Sequence, residues 1–231
     1  AASGRHDAGT IAPFPPPLES YGDAPIASLW DVLVHRVAAQ PFNLWATVIF
    51  IGAILHTFFT DETLVRCVKT VKEAAERAGR DPASVKVWSC CATVGDHLPE
   101  PLRLKKTVGR MATYLQAYGD LMVETNRWDP AGLARFRADP LVSTFPGAID
   151  AKATTEQLEQ IAKLIPAEWL APAATGSPEA CVAKIENQLA LGCDGVILHG
   201  ATPTELEPIV SAYRKTRVAA RFAHLRANPA A

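Results

Sequence analysis

The sequence has no excess of either charge: 23 Lys and Arg stand against 24 Asp and Glu, for a formal net charge of −1. Without a basic surplus there is no electrostatic case for a nucleic acid or an anionic membrane as partner, and neither is expected. Cysteine is sparse and unpatterned. Cys67, Cys90, Cys91, Cys181 and Cys193 contain no CxxC pair and no accompanying His at zinc-finger spacing, which excludes a disulfide framework and a structural zinc site. The chain opens on Ala, with no basic, hydrophobic and small-residue series behind it, so a secretory signal is not expected and a cytoplasmic setting is the default.

Cations are nearly missing from one region as well. Residues 1–60 hold only Arg5 and Arg36, and Pro13, Pro15, Pro16, Pro17, Pro25 and Pro41 interrupt any long helix there. Residues 1–45 therefore read as an irregular, Pro-rich leader. From Val37 to Thr60 no charged residue occurs, and Leu44 to Leu55 is almost continuously apolar. That run is shorter than the roughly 20 residues a bilayer needs. Gln40, Asn43 and His56 lie in or beside it without a flanking Lys or Arg cluster, so a buried strand of a parallel sheet is expected and a membrane span is not.

What remains is an ordinary globular mix, 48% hydrophobic and 20% charged in 231 residues, enough for one medium domain. Thr60 caps an expected helix with Asp61 and Glu62 in its first turn, an apolar face of Leu64, Val65, Val68, Val71, Ala75 and Ala78, and Gly79 as its stop. Val85 to Val94 reads as a strand closed by Gly95-Asp96. Residues 97–170 read as helical pieces, one opened by Asp129-Pro130 and one by the capping box Thr154–Gln157. Ser177-Pro178 opens a helix that turns Cys181, Val182, Ile185 and Leu189 inward and stops at Gly192. Cys193 to Gly200 then reads as a buried strand, Thr202 caps the last helix, and 218–231 is a tail. Trp88 and Trp169 are expected in the core.

The sequence also repeats itself: Gly52-Ala53-Ile54-Leu55-His56, then Thr60 and Leu64, parallels Gly195-Val196-Ile197-Leu198-His199, then Thr202 and Leu206. Both copies read as strand, terminal His, short loop, Thr cap and amphipathic helix. Repeated βα units suit a parallel sheet covered by helices, and a (β/α)8 barrel places its chemistry at the carboxyl ends of such strands. His56, Asp96 and His199 would share that rim. A His at a strand end can equally bond a loop carbonyl, and Gly-Asp-His after a strand can be a plain turn.

Three stretches carry a family resemblance. Leu55-His56-Thr57-Phe58-Phe59-Thr60-Asp61-Glu62-Thr63 is one, and the Ala75–Pro82 turn is the second. The third is Thr175-Gly176-Ser177-Pro178-Glu179 leading to Gly192-Cys193-Asp194-Gly195-Val196. Together, over roughly residues 52–217, they resemble the C-terminal part of luciferase-like monooxygenases, more narrowly the actinobacterial branch that uses the deazaflavin coenzyme F420. The resemblance implies an α/β fold, the C-terminal part of a TIM-type barrel over 46–217, with 97–170 as a helical insertion. It implies an oxidoreductase that uses F420, or alternatively FMN, on a small organic substrate by hydride transfer or monooxygenation. On that pattern His56 and His199 are the expected catalytic residues, and His56, Thr57, Asp96 and Gly200 the expected cofactor contacts.

The match has a gap. The Gly-Pro turn and Leu-Ala-Gly helix of the family, which bind cofactor phosphate, are replaced here by Val34 to Leu44, and the earlier barrel strands have no counterpart in 1–45. The expected barrel is therefore incomplete, its affinity for cofactor weak, and its open edges prone to self-association as a homo-oligomer. Two other readings stay open: a metal-dependent hydrolase with His56, Asp96 and His199 as ligands, and a non-catalytic interaction module in which 44–55 packs on a partner.

Overall fold

A computed structural model of the chain describes residues 58–222 and, singly, Ala38. The expected strand at 52–57, the apolar run 44–55, the leader, and the candidates His56 and Thr57 lie outside these residues. Within them the protein is α/β, mostly helical, with a small open sheet of three parallel strands.

Helix α1 (Asp61–Arg77) begins where Thr60 caps it: the Thr60 hydroxyl accepts the Thr63 N–H at 3.2 Å, and Asp61 and Glu62 sit at the positive end of the helix dipole. Gly79 ends it at φ +70°, a conformation that disfavours a Cβ. Only Thr63, Leu64 and Ala75 of α1 are buried, and Val65 and Val71 are exposed, so its inward stripe is narrower than its valine content suggests. A 3₁₀ turn (Pro82–Ser84) leads to β1 (Trp88–Gly95).

Strand β1 is central. It pairs in parallel with β2 (Ala174–Gly176) through Thr93 to Gly95, and with β3 (Gly195–His199) through Trp88 to Ala92. The order β2-β1-β3 means that the connection from β2 to β3 crosses β1. That connection is α9 (Pro178–Ala190), which packs on all three strands. The last helix, α10 (Pro203–Thr216), packs against α9 and β1. Cys91, Val196 and Leu198 meet Cys181, Val182, Ile185 and Ile209 in the core beneath these two helices.

The opposite face of the sheet begins a second core. Ala92 packs with Met111, Leu115, Phe136, Ile161 and Trp169 from the long helical segment between β1 and β2. This segment runs α2 (Glu100–Leu104), a π-helical turn (Lys105–Gly109) and α3 (Arg110–Asn126), the last kinked at Tyr118, then α4 (Pro130–Ala138), α5 (Pro140–Ser143), α6 (Ile149–Lys152), α7 (Thr155–Ala162) and α8 (Ala167–Leu170). The expected caps hold. The Asp129 carboxylate accepts from Ala131 N–H at 2.9 Å, and Thr154 and Gln157 close a capping box. Trp169 is fully buried, stacked on Trp128 with ring centroids 4.7 Å apart.

Two core expectations fail. Trp88 is 56% exposed and Ile197 51% exposed. Side chains alternate along a strand, so Trp88, Cys90, Gly195 and Ile197 fall on one side of the paired strands. The Trp88 ring lies over Gly195, where an added Cβ would come within 2.7 Å of it. The strand carrying Ile197 is an edge of the described sheet, which a continuous apolar run in the sequence does not reveal.

Candidate functional site

Because the three strands are parallel, their carboxyl ends open on one side, and the segment after each end is short: Asp96 to Pro99 after β1, Ser177 after β2, and Gly200 to Thr202 after β3. The chain then sends α2 and the π-helical turn toward these ends. A π-helical turn inserts an extra residue into a helix, shifts the side chains that follow, and is frequent at functional sites. Here the turn and the residue after it bring Lys106 and Arg110 to the end of β3.

Lys106 Nζ donates to the Gly200 carbonyl at 2.7 Å and pairs with Glu205 Oε2 at 3.0 Å. Glu205 is held in turn by the start of α10, where its carboxylate accepts the Thr202 N–H at 2.6 Å in a capping box. The Thr202 N–H is the largest influence lowering the Glu205 carboxyl below its ordinary range; partial burial opposes it and Lys106 adds to it. A ring nitrogen of His97, Nε2, lies 2.8 Å from the Glu205 carbonyl. Gly200, at φ +86°, lies directly under the Arg110 guanidinium, so a side chain there would collide with Arg110 as well as strain the backbone.

Arg110 Nη1 lies 3.5 Å from Nδ1 of His199. A guanidinium can only donate, so Nδ1 is the acceptor and the imidazole proton sits on Nε2. Burial, and then the Arg110 charge, lower the His199 pKa below its ordinary value, which keeps the ring neutral at pH 7. Lys106 is the one cation of this group with a carboxylate partner among the described residues; Arg110 has none there.

The expected residues divide accordingly. His199 and Gly200 meet at one point, joined by Arg110 and Lys106. Asp96 follows β1, and its N–H donates to the Gly176 carbonyl at 2.8 Å; its side chain is exposed, on the β2 side of β1. Among the described residues no group of three or more His, Cys, Asp and Glu is placed to hold a metal ion. Cys91 and Cys181 are buried thiols pushed up to about 11, chiefly by desolvation, and are poor nucleophiles at neutral pH. Lys106 and Arg110 do not follow from reading strand ends alone, because they come from the helical insertion. Their signal was the basic run Arg103, Lys105, Lys106 and Arg110, four cations within eight residues.

The donor set suits an anionic ligand: Arg110 has no carboxylate partner among the described residues, and the missing side chain of Gly200 lets its guanidinium lie against the loop. No family model matches the chain, and no curated protein matches it. Among the described residues no helix is long and apolar enough to cross a membrane.

Proposed function

We propose that the protein is an oxidoreductase of the luciferase-like monooxygenase group, binding F420 or FMN at the carboxyl ends of its parallel strands in a partial TIM-type barrel. The observation that supports this most is the meeting of His199 and Gly200 with Arg110 and Lys106 at the end of β3. When bound, the cofactor supplies a hydride acceptor or donor, or with FMN a site for oxygen chemistry. Arg110 holds the anionic part of the ligand by paired N–H donors, and Lys106, anchored by Glu205, fixes the Gly200 loop beneath it. Neutral His199 offers its Nε2 proton to a substrate oxygen while Arg110 orients the ring through Nδ1. Asp96 is a further cofactor contact on the neighbouring strand end, and His56 and Thr57 complete the catalytic and cofactor set. Titration of the protein with F420 and with FMN, read by cofactor fluorescence, tests the reading: a saturable change is expected, and a linear response to millimolar cofactor rejects it.

A second reading, a self-associating interaction module, is favoured by the exposed Trp88 and Ile197 beside an edge strand. Such edges pair with other chains. It is compatible with the first if a second copy completes the barrel.

A further inference from the structure

On the β2 side of β1, away from His199, the same helical stretch walls a cavity of about 290 Å³. Its size falls at the lower end of small-molecule pockets, roughly 300 to 1,000 Å³. Val94, Leu104 and Leu170 give it apolar walls, and Arg103, Thr107 and Thr175 bring polar groups to it. Arg103 is the unexplained member. Its Nε is buried and has no hydrogen-bond partner, and its guanidinium pairs with no carboxylate among the described residues. A buried N–H of a charged group without an acceptor is costly, and native proteins rarely leave one so.

We propose that this cavity binds a small organic acid, its carboxylate on Arg103 and its apolar body against Val94, Leu104 and Leu170. The Nε–H and an Nη–H of arginine form a planar fork that matches the two oxygens of a carboxylate. The Thr107 hydroxyl donates to the Arg103 backbone carbonyl at 2.8 Å, so its proton is already committed to the helix backbone. Glu100, also lining the cavity, is exposed and forms no ion pair with Arg103 among the described residues. Its charge disfavours a dianionic phosphate more than a singly charged carboxylate, which selects the acid over the phosphate ester. The inference does not depend on the redox reading, since the cavity and its anchor stand whether or not a cofactor binds near His199.

The test is NMR of the ¹⁵N-labelled full chain without any cofactor, following the Arg103 Nε–H signal during titration with benzoate, benzamide and inorganic phosphate. Benzoate should move that signal saturably, benzamide should leave it in place, and phosphate should act only at higher concentration. Arg103→Lys, which keeps the charge but loses the fork, should weaken benzoate binding about tenfold or more. An Nε–H signal that ignores benzoate, or answers benzamide equally, overturns the proposal, and tighter binding of phosphate overturns the carboxylate assignment. The wild-type titration decides these points even if the variant does not fold.

Discussion

Arg110 Nη1 stands 3.5 Å from His199 Nδ1, and this contact ties the helical insertion to the end of β3. It also decides the chemistry available there. A cation beside a half-buried imidazole disfavours the imidazolium, so His199 can act as a proton donor through Nε2 only from its neutral form.

Replacing Arg110 by Gln should therefore raise the His199 pKa. Burial, the larger cause of the depression, remains, so the value should stay below the ordinary 6.5. An NMR titration of the His199 ring in both proteins measures this; an unchanged value would mean that Arg110 does not act on the ring.

The same depression links stability to pH. The unfolded chain binds a proton at His199 near pH 6.5, and the folded protein binds it only at lower pH. The unfolded state thus holds more protons in this window, and the His199 contribution is present above pH 6.5 and lost as pH falls through the folded value. Urea unfolding of wild type and His199→Asn across pH 5 to 8 should show a shallower acid-side decline in the variant. Parallel curves would contradict this.

Asp194 ties the entry to β3 to the entry to β1. Its carboxylate accepts from Val87 N–H at 2.9 Å and faces Lys86 at 3.3 Å and Lys72 at 3.5 Å, while its own N–H donates to the Val87 carbonyl at 2.7 Å. Burial pushes its pKa up, but the Val87 N–H and then the two lysines prevail and hold it below the ordinary carboxylate range. Asp194→Ala should cost about 1–3 kcal/mol, from the Val87 N–H left without a partner. A loss under about 0.5 kcal/mol in urea unfolding, the range of an ordinary surface change, would contradict this account.

The caps explain why so much of the fold was legible in the sequence. Thr60, Asp129, Thr154, Ser177 and Thr202 announce helices because each supplies a side-chain oxygen to a helix N–H that no carbonyl can reach, and all five do so. Strand β2 was not legible. Ala174, Thr175 and Gly176 carry no alternation, and what makes them a strand is pairing with Thr93, Val94 and Gly95, roughly eighty residues earlier. The site was half legible for a related reason. His199 and Gly200 follow from the strand end, whereas Arg110 reaches them only after the chain has folded back across β1 with a π-helical turn inside it. No periodicity in the sequence encodes that return.

Trp88 and Ile197 should make the chain self-associate. Light scattering is expected to give an apparent mass that rises with concentration, and Ile197→Lys should move it toward the monomer by placing a charge on the edge strand. A constant monomer mass for the wild-type chain would contradict the expectation.

The most direct test of the central claim is a paired titration of wild type and Arg110→Gln with F420 and FMN. Wild type is expected to bind at least one cofactor saturably, more weakly than about 1 µM, because Val34 to Leu44 stand where the resembled family carries its phosphate-binding turn and helix. Arg110→Gln is expected to weaken this binding by about tenfold or more, the loss of a charge-assisted contact. Absence of saturable binding to either cofactor, or equal affinity in the two proteins, would contradict that claim.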